Sequence, residues 1–284
     1  MIKVFRTVKE INSYSSDNRR QGNKIGFVPT MGYLHDGHLS LLEESKKKCD
    51  ISIVSIFVNP TQFSPNEDLS RYPRDFESDE RLLIEHGADA IFYPDVEEIY
   101  PKDFETFISV EELSKKHEGE SRPTHFRGVA TVVAILFNAV LPDYAFFGRK
   151  DAQQAALIQK MVSDLRMNVE VVVCPIIREP DGLAMSSRNV YLNNSERKDA
   201  LVLKKSLELA GDLIRNGETD TKFIIDKMKK VIDSVKTSTL DYVKIVDVLS
   251  FNEIQKIEKG SKIYILIACK IGKTRLIDNE LIEF

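Results

Sequence analysis

The sequence predicts an α/β protein: a doubly wound parallel sheet followed by a smaller C-terminal α+β domain. Three observations carry this. Strand-length apolar runs alternate with amphipathic helical segments from Ile25 to Cys174, the pattern of repeated βαβ units. One run, Ile51–Val58 (ISIVSIFV), is too apolar to face water, so it suits the middle of a parallel sheet. After Asn193 the texture changes to Leu-, Ile- and Lys-rich helices, and then to strand-like runs. The expected boundary lies between residues 1–176 and 177–284.

In chain order, Thr7 with Glu10 forms a capping-box pattern, and Gly22 is placed to close the helix it opens. A strand at Lys24–Val28 leads to a helix at Gly37–Lys48. Ile51–Val58 ends in Asn59–Phe63, whose polar side chains would sit at the C-terminal edge of the sheet, where ligands bind in open α/β folds. Ser64–Arg74 is a polar, Pro-bearing loop that serves either as a surface connection or as a lid. Asp75–His86 reads as a helix stopped at Gly87, Ala90–Tyr93 as a short strand, and Thr106–Val110 as an outer strand. Arg122–Gly128 (RPTHFRG) reads as a basic loop opening the apolar helix Val129–Val140. There His125 and Arg127 suit an anion or a solvated loop equally. Tyr144–Phe147 reads as a strand running through Gly148–Gln154 into a helix ending near Arg166, and Val169–Cys174 as another buried strand. The Pro and Gly punctuation from Pro175 to Asn189 marks a domain connection. Beyond it, helices from Ser195 precede strands at Asp241–Val248, Lys262–Lys270 and Thr274–Asp278.

Composition narrows the function classes. The 284 residues are 42% hydrophobic and 30% charged, enough for a sizeable core in a soluble protein. A net charge of −4 with mixed signs gives no electrostatic footprint for nucleic acid. No apolar run is long enough to span a bilayer, and the N-terminus does not resemble a signal peptide. Cys49, Cys174 and Cys269 lie far apart, which suits reduced thiols and a cytoplasmic home.

The stretch organising the chain is Phe27–Leu41 (FVPTMGYLHDGHLSL). A strand feeding a Gly-bearing turn into a helix start makes an anion site, because first-turn N–H groups are unpaired and the helix dipole adds positive charge. His35 and His38, three apart, can present both rings on one side. Half a zinc site is the other reading of H-x-x-H, but no third ligand stands nearby. The stretch is neither a P-loop nor a dinucleotide fingerprint. Gly148–Gln154 repeats the design, with Lys150 placed to reach phosphate and Asp151 placed to cap the helix or position a metal–nucleotide complex. Gln153 and Gln154 are adjacent, so only one of them faces a given site. Ser186, Ser187 and Arg188 group two hydroxyls with a guanidinium, a phosphate grip or a plain capping turn.

Six stretches in order resemble the motifs of the pantothenate synthetase (pantoate–β-alanine ligase) family in the nucleotidyltransferase superfamily. They are PTMGYLHDGHLSL (Pro29–Leu41), FVNPTQF (Phe57–Phe63), YPR (Tyr72–Arg74), RPTHFRGVATVV (Arg122–Val133), FGRKDAQQ (Phe147–Gln154) and REPDGLAMSSRNVYL (Arg178–Leu192). The H-x-G-H pattern alone marks the superfamily; FGRKDAQQ with DGLAMSSRN is far more specific. Two positions depart from the family pattern: Tyr33 stands where alanine is usual, and Ile135 replaces a more usual lysine.

The resemblance implies a Rossmann-like sheet of nucleotidyltransferase type, with residues 1–176 binding ATP and pantoate and 177–284 forming a lid domain. It implies ATP-dependent condensation of (R)-pantoate with β-alanine to pantothenate, AMP and pyrophosphate through pantoyl adenylate. Met31, Gly32, Tyr33, Leu34, His35, Asp36, Gly37 and His38 would then cradle ATP, with His38 as proton donor and phosphate ligand and His35 assisting. Gly148, Arg149, Lys150 and Asp151 would hold phosphates and ribose, with Lys150 neutralising charge. Ile177 would contact the nucleotide through its backbone, and Met185, Ser186, Ser187 and Arg188 would close over the phosphates. Gln62 and Gln154 would bind pantoate, and Gln62 also β-alanine. The family further implies Mg²⁺ bound mainly through the nucleotide phosphates, no dedicated protein metal site, and a homodimer.

Two rivals stand beside this reading. Another adenylyl- or cytidylyltransferase would need charge for an anionic phosphoester partner where the chain offers two glutamines. A nucleotide-binding sensor would bind ATP without releasing pyrophosphate, and a degenerate site of that kind usually loses charged members such as His38 and Lys150.

Overall fold

The computed structural model describes residues 2–65 and 67–284; Met1, and Asn66 within the expected 64–74 loop, lie outside the described residues. The described chain falls into two units, residues 1–149 with 154–176, and residues 150–153 with 177–284.

The first unit is a six-stranded sheet in the order β1-β4-β3-β2-β5-β6, with every neighbouring pair parallel. Its strands are β1 (Lys3–Phe5), β2 (Ile25–Thr30), β3 (Ile51–Ile56), β4 (Ala90–Phe92), β5 (Tyr144–Gly148) and β6 (Glu170–Cys174). Its helices are α1 (Val8–Arg20), α2 (Asp36–Lys48), α3 (Phe76–Glu85), α4 (Val96–Ile99), α5 (Glu118–Ser121), α6 (His125–Val140) and α7 (Ala152–Asp164). From β2 the chain winds outward through β3 to β4, and β5 then returns to the other side of β2. Helical connections running in both directions from β2 are the doubly wound arrangement. The core between sheet and helices includes Phe27, Ile53, Ile91, Phe92 and Phe146, all fully buried. The capping box at α1 is present, with Thr7 accepting from Glu10 N and Glu10 Oε2 accepting from Thr7 N at 3.1 Å.

Three expectations need correction. Thr106–Val110 is not a strand. Its Ile108 N–H donates to the Thr131 side chain at 3.0 Å, and the sheet edge beyond β4 is taken by β1, too short to show a period. Arg122–Gly128 is not an open loop, because α6 begins at His125. Nor is β6 fully buried: it is the sheet's other edge, and only Cys174 is inaccessible.

The second unit packs α8 (Asn194–Ala200), α9 (Val202–Arg215) and α10 (Thr221–Asp233) with an antiparallel sheet of β7 (Ser238–Asp247), β8 (Lys262–Ile271) and β9 (Thr274–Glu283). Its core joins Leu203, Leu207, Ile214, Ile224, Met228 and Ile232 of the helices to Ile245, Ile265 and Ile267 of the strands. Among the described residues, no helix is long and apolar enough to cross a membrane.

Candidate functional site

The strand order changes direction between β2 and β5, and the crevice beyond the C-terminal ends of such neighbours is the usual ligand position in open α/β sheets. Two strand–turn–helix connections leave from there, one carrying Met31–His38 and the other Gly148–Asp151.

The first turn is tightly determined. Gly32 and Tyr33 both hold positive φ, +81° and +52°. For a tyrosine this backbone conformation is unfavourable by about 1–2 kcal/mol. A buried carboxylate offsets it: Asp79 on α3 accepts from Tyr33 N at 2.8 Å and from Leu34 N at 2.7 Å. Burial pushes the Asp79 carboxyl up, against the pull of these two N–H groups. A Cβ at Gly32 would stand 2.9 Å from both Asp79 Oδ2 and Ile56 Cγ2, so glycine also permits this close approach.

His35 is the N-cap of α2, and His38 is its third helical residue. His35 Nδ1 accepts from Gly37 N at 3.1 Å, and His38 Nδ1 accepts from His35 N at 3.4 Å. A ring nitrogen that accepts carries no proton, so in both neutral rings the hydrogen sits on Nε2. The rings lie 4.1 Å apart at 34°. The helix start thus carries two imidazole Nε2–H donors beside its own dipole.

A second group in this unit surrounds Gln62, in the short 3₁₀ turn Pro60–Gln62 capped by Asn59. Gln62 is buried. Its Oε1 accepts from Asn59 Nδ2 at 3.2 Å, and its Nε2 donates to Met31 Sδ at 2.9 Å. The structure therefore brings Gln62 against the H-x-G-H turn with its donor end fixed. Asn59 Oδ1 takes bonds from Thr61 Oγ1 and Tyr100 Oη, both at 2.9 Å. The Gln62 carbonyl accepts from His125 Nδ1 at 3.1 Å and Arg122 Nη2 at 3.3 Å. Arg122 also pairs with Glu67 through Nε (2.9 Å) and Nη2 (2.6 Å), which ties the 64–74 loop to the start of α6.

His125 is therefore no anion ligand. Burial, with Arg122 beside it, brings its pKa down to about 4, so the ring is neutral at physiological pH. Arg127 instead lies over the Phe107 ring at 3.9 Å. Gln154 is half-buried on α7, and its neighbour Gln153 is buried.

The other expected residues belong to the second unit, except Gly148 and Arg149, which fall with the first. Lys150 Nζ stands 3.5 Å from Asp151 Oδ1. Ile177 and Met185 are brought together: Met185 N donates to Ile177 O at 3.0 Å across a hairpin closed by the Arg178–Ala184 bridge. Ser186 Oγ accepts from Arg188 N at 3.3 Å at the start of the turn Ser187–Tyr191. Among the described residues, no three His, Cys, Asp or Glu side chains gather as a metal cage.

Sequence reasoning missed Asp79 and the Arg122–Glu67 pair, and it placed Asn59 at the sheet edge without its support of Gln62. Asp79 left one signal: it is four residues before Leu83, the other buried residue of α3, so its carboxylate shares the apolar face.

Comparison with known proteins gives the family. Residues 3–281 match the pantoate-beta-alanine ligase family. Pantothenate synthetase of Thermotoga petrophila is 51% identical over 281 residues, covering 99% of this chain and all of the relative. The enzyme of the same name from Thermus thermophilus has a solved structure with TM-score 0.93 at 42% identity, covering 98% of this chain and 99% of its own. Pantoate-beta-alanine ligase from Francisella tularensis, solved with beta-gamma ATP and beta-alanine, has TM-score 0.79 at 36% identity, covering 99% and 98%. The chain belongs to the pantoate–β-alanine ligase family.

Proposed function

We propose that the chain condenses (R)-pantoate with β-alanine, using ATP, to give pantothenate, AMP and pyrophosphate. One observation carries the reading within the first unit: a helix start with two imidazole donors, and beside it a buried amide, Gln62, held at its oxygen by Asn59 with its donor end against Met31. The first feature suits phosphate; the second suits the oxygens of a hydroxy acid without adding charge. The family membership and the ATP-analogue and β-alanine complex of the Francisella relative support the same chemistry.

The pantoate carboxylate attacks the α-phosphorus, pyrophosphate leaves, and pantoyl adenylate results. The β-alanine amine then attacks the acyl carbon, AMP leaves, and the amine gives up a proton. The substrates supply both nucleophiles, so the protein's task is in-line placement and stabilisation of charge on the leaving groups. Met31–His38 hold ATP, with His38 Nε2–H donating to phosphate oxygen and His35 assisting. Lys150 neutralises the triphosphate, and Gly148, Arg149 and Asp151 hold phosphates and ribose. Ile177 contacts the nucleotide by its backbone, and Met185, Ser186, Ser187 and Arg188 bind phosphate. Gln62 and Gln154 take pantoate, and Gln62 also β-alanine. Mg²⁺ would be held mainly by the nucleotide's own phosphates and would neutralise part of their charge, with Asp151 beside Lys150 the carboxylate of that segment. Residues 177–284 act as a lid. The enzyme works as a cytoplasmic homodimer. Free thiols at Cys49, Cys174 and Cys269, pushed up to about 11 by burial, support the compartment.

Exchange of label between pyrophosphate and ATP tests the reading. It should depend on pantoate, and AMP release should require β-alanine. Exchange driven by another acid but not by pantoate would overturn the substrate. ATP binding with no exchange for any acid would overturn the mechanism.

A further inference from the structure

Strand β9 carries two adjacent polar residues, Asp278 and Asn279, exposed by only 4% and 2%. Buried polar groups need partners, and both find them in segments assigned above to phosphate. Asp278 forms a two-pronged pair with Arg178, Nη1 to Oδ2 at 2.7 Å and Nη2 to Oδ1 at 3.0 Å. Arg178 also donates to Gly182 O at 3.1 Å, bracing the hairpin that delivers Met185–Arg188. Asn279 Nδ2 donates to the backbone carbonyl of Lys150 at 2.9 Å. The Asn279 backbone N–H donates to Asp278 Oδ1 at 2.8 Å, which fixes the Asp278 carboxylate against the strand that carries both side chains. All these residues belong to the second unit.

A water molecule would satisfy the Lys150 carbonyl equally well, but would leave the residue free to shift. A carboxamide on a strand hydrogen-bonded along its whole length to β8 does not. We infer that the Asp278–Asn279 step of β9 is a positioning element for adenylation, which sets Lys150 and the Met185–Arg188 turn in fixed register for one triphosphate. Neither residue touches the reacting atoms; each acts through a neighbour. The inference rests on the reading of Lys150 as a phosphate ligand, so its test measures that reading separately.

The test is pantoate-dependent ATP–pyrophosphate exchange by the full chain and by Asn279→Ala, Lys150→Ala and the double variant. Asn279→Ala should lower kcat of exchange on the order of 10- to 100-fold, as misplacement of a charge-stabilising group does. In the Lys150→Ala background the same change should add less than about twofold, because the two act as a unit. Pantoate KM should move little, a split that general loosening of the fold would not produce. Asn279→Asp, the same shape without the donor, should lose rate alongside the alanine variant and serves if that variant fails to fold. Full exchange by the Asn279 variants, or an equal loss in both backgrounds, would overturn the proposal. Full exchange by Lys150→Ala alone would remove the reading beneath it and the proposal with it.

Discussion

The turn after β2 carries its fastenings within its own unit. Asp79 grips two of its N–H groups, His35 caps the helix, and the Gln62 donor rests against Met31. The turn after β5 is fastened differently. It has the same strand–turn–helix plan, but its Lys150 carbonyl is held by Asn279, 129 residues away, and Lys150–Gln153 group with the second unit. Two outwardly similar strand–turn–helix connections thus differ in how they are held. The first is set once its own sheet and helices form, whereas the second also needs β9.

Removing the charge-bearing groups of the two turns should have the largest effect. His38→Ala and Lys150→Ala should each lower exchange by about 10²–10³-fold, as for other preorganised charge-stabilising groups. Steady-state exchange rates check this, and a change under fivefold for either residue would contradict its role at the phosphates.

Acid should attack the support of the first unit next. Unfolded histidine titrates near 6.5 and buried His125 at about 4, so between those values the unfolded chain binds the extra proton. Stability from this group is fully present above about pH 6.5 and is lost as pH falls toward 4, in total roughly 3 kcal/mol. Denaturant unfolding across that range should show a steeper loss for the natural chain than for His125→Gln. Parallel curves would contradict the buried neutral ring.

Asp79→Ala leaves the Tyr33 and Leu34 N–H groups without their acceptor, and should lower stability by about 1–3 kcal/mol and slow exchange. Thermal melting together with exchange separates this residue from a plain surface acid, whose removal would change neither.

The smallest effect concerns Gln62. A Cβ on Gly128 would lie 2.5 Å from Thr61 O and 2.7 Å from Gln62 N, against backbone that must give way. Gly128→Ala should raise pantoate KM about tenfold, in line with the 1–3 kcal/mol of overpacking, while ATP KM moves little. Equal changes in both constants would show that the turn serves the nucleotide as well.

What was legible in the sequence was local. The H-x-G-H turn, the capping box at Thr7 and the buried run of β3 all declare themselves within a few residues, because caps, dipoles and strand burial act at that range. Asp79 lies 45 residues from Leu34, and a lone acid in a charged helix looks like surface until its spacing from Leu83 is weighed. Thr106–Val110 has strand-like composition, but β1, only three residues long, already occupies the edge beyond β4. His125 beside Arg122 and Arg127 suggests an anion site by composition; burial decides otherwise, and burial is a property of the assembled fold. The tie from Asn279 to Lys150 exists only once the strands of the second unit pair.

Attack of a pantoate carboxylate oxygen on the α-phosphorus of ATP, the first proposed step, leaves an isotopic record. The direct measurement is isotope transfer: pantoate labelled with ¹⁸O in its carboxylate is turned over with ATP and β-alanine, and the products are weighed by mass spectrometry. One labelled oxygen should appear in AMP and none in pyrophosphate. Label in pyrophosphate or free phosphate, or unlabelled AMP, would contradict it.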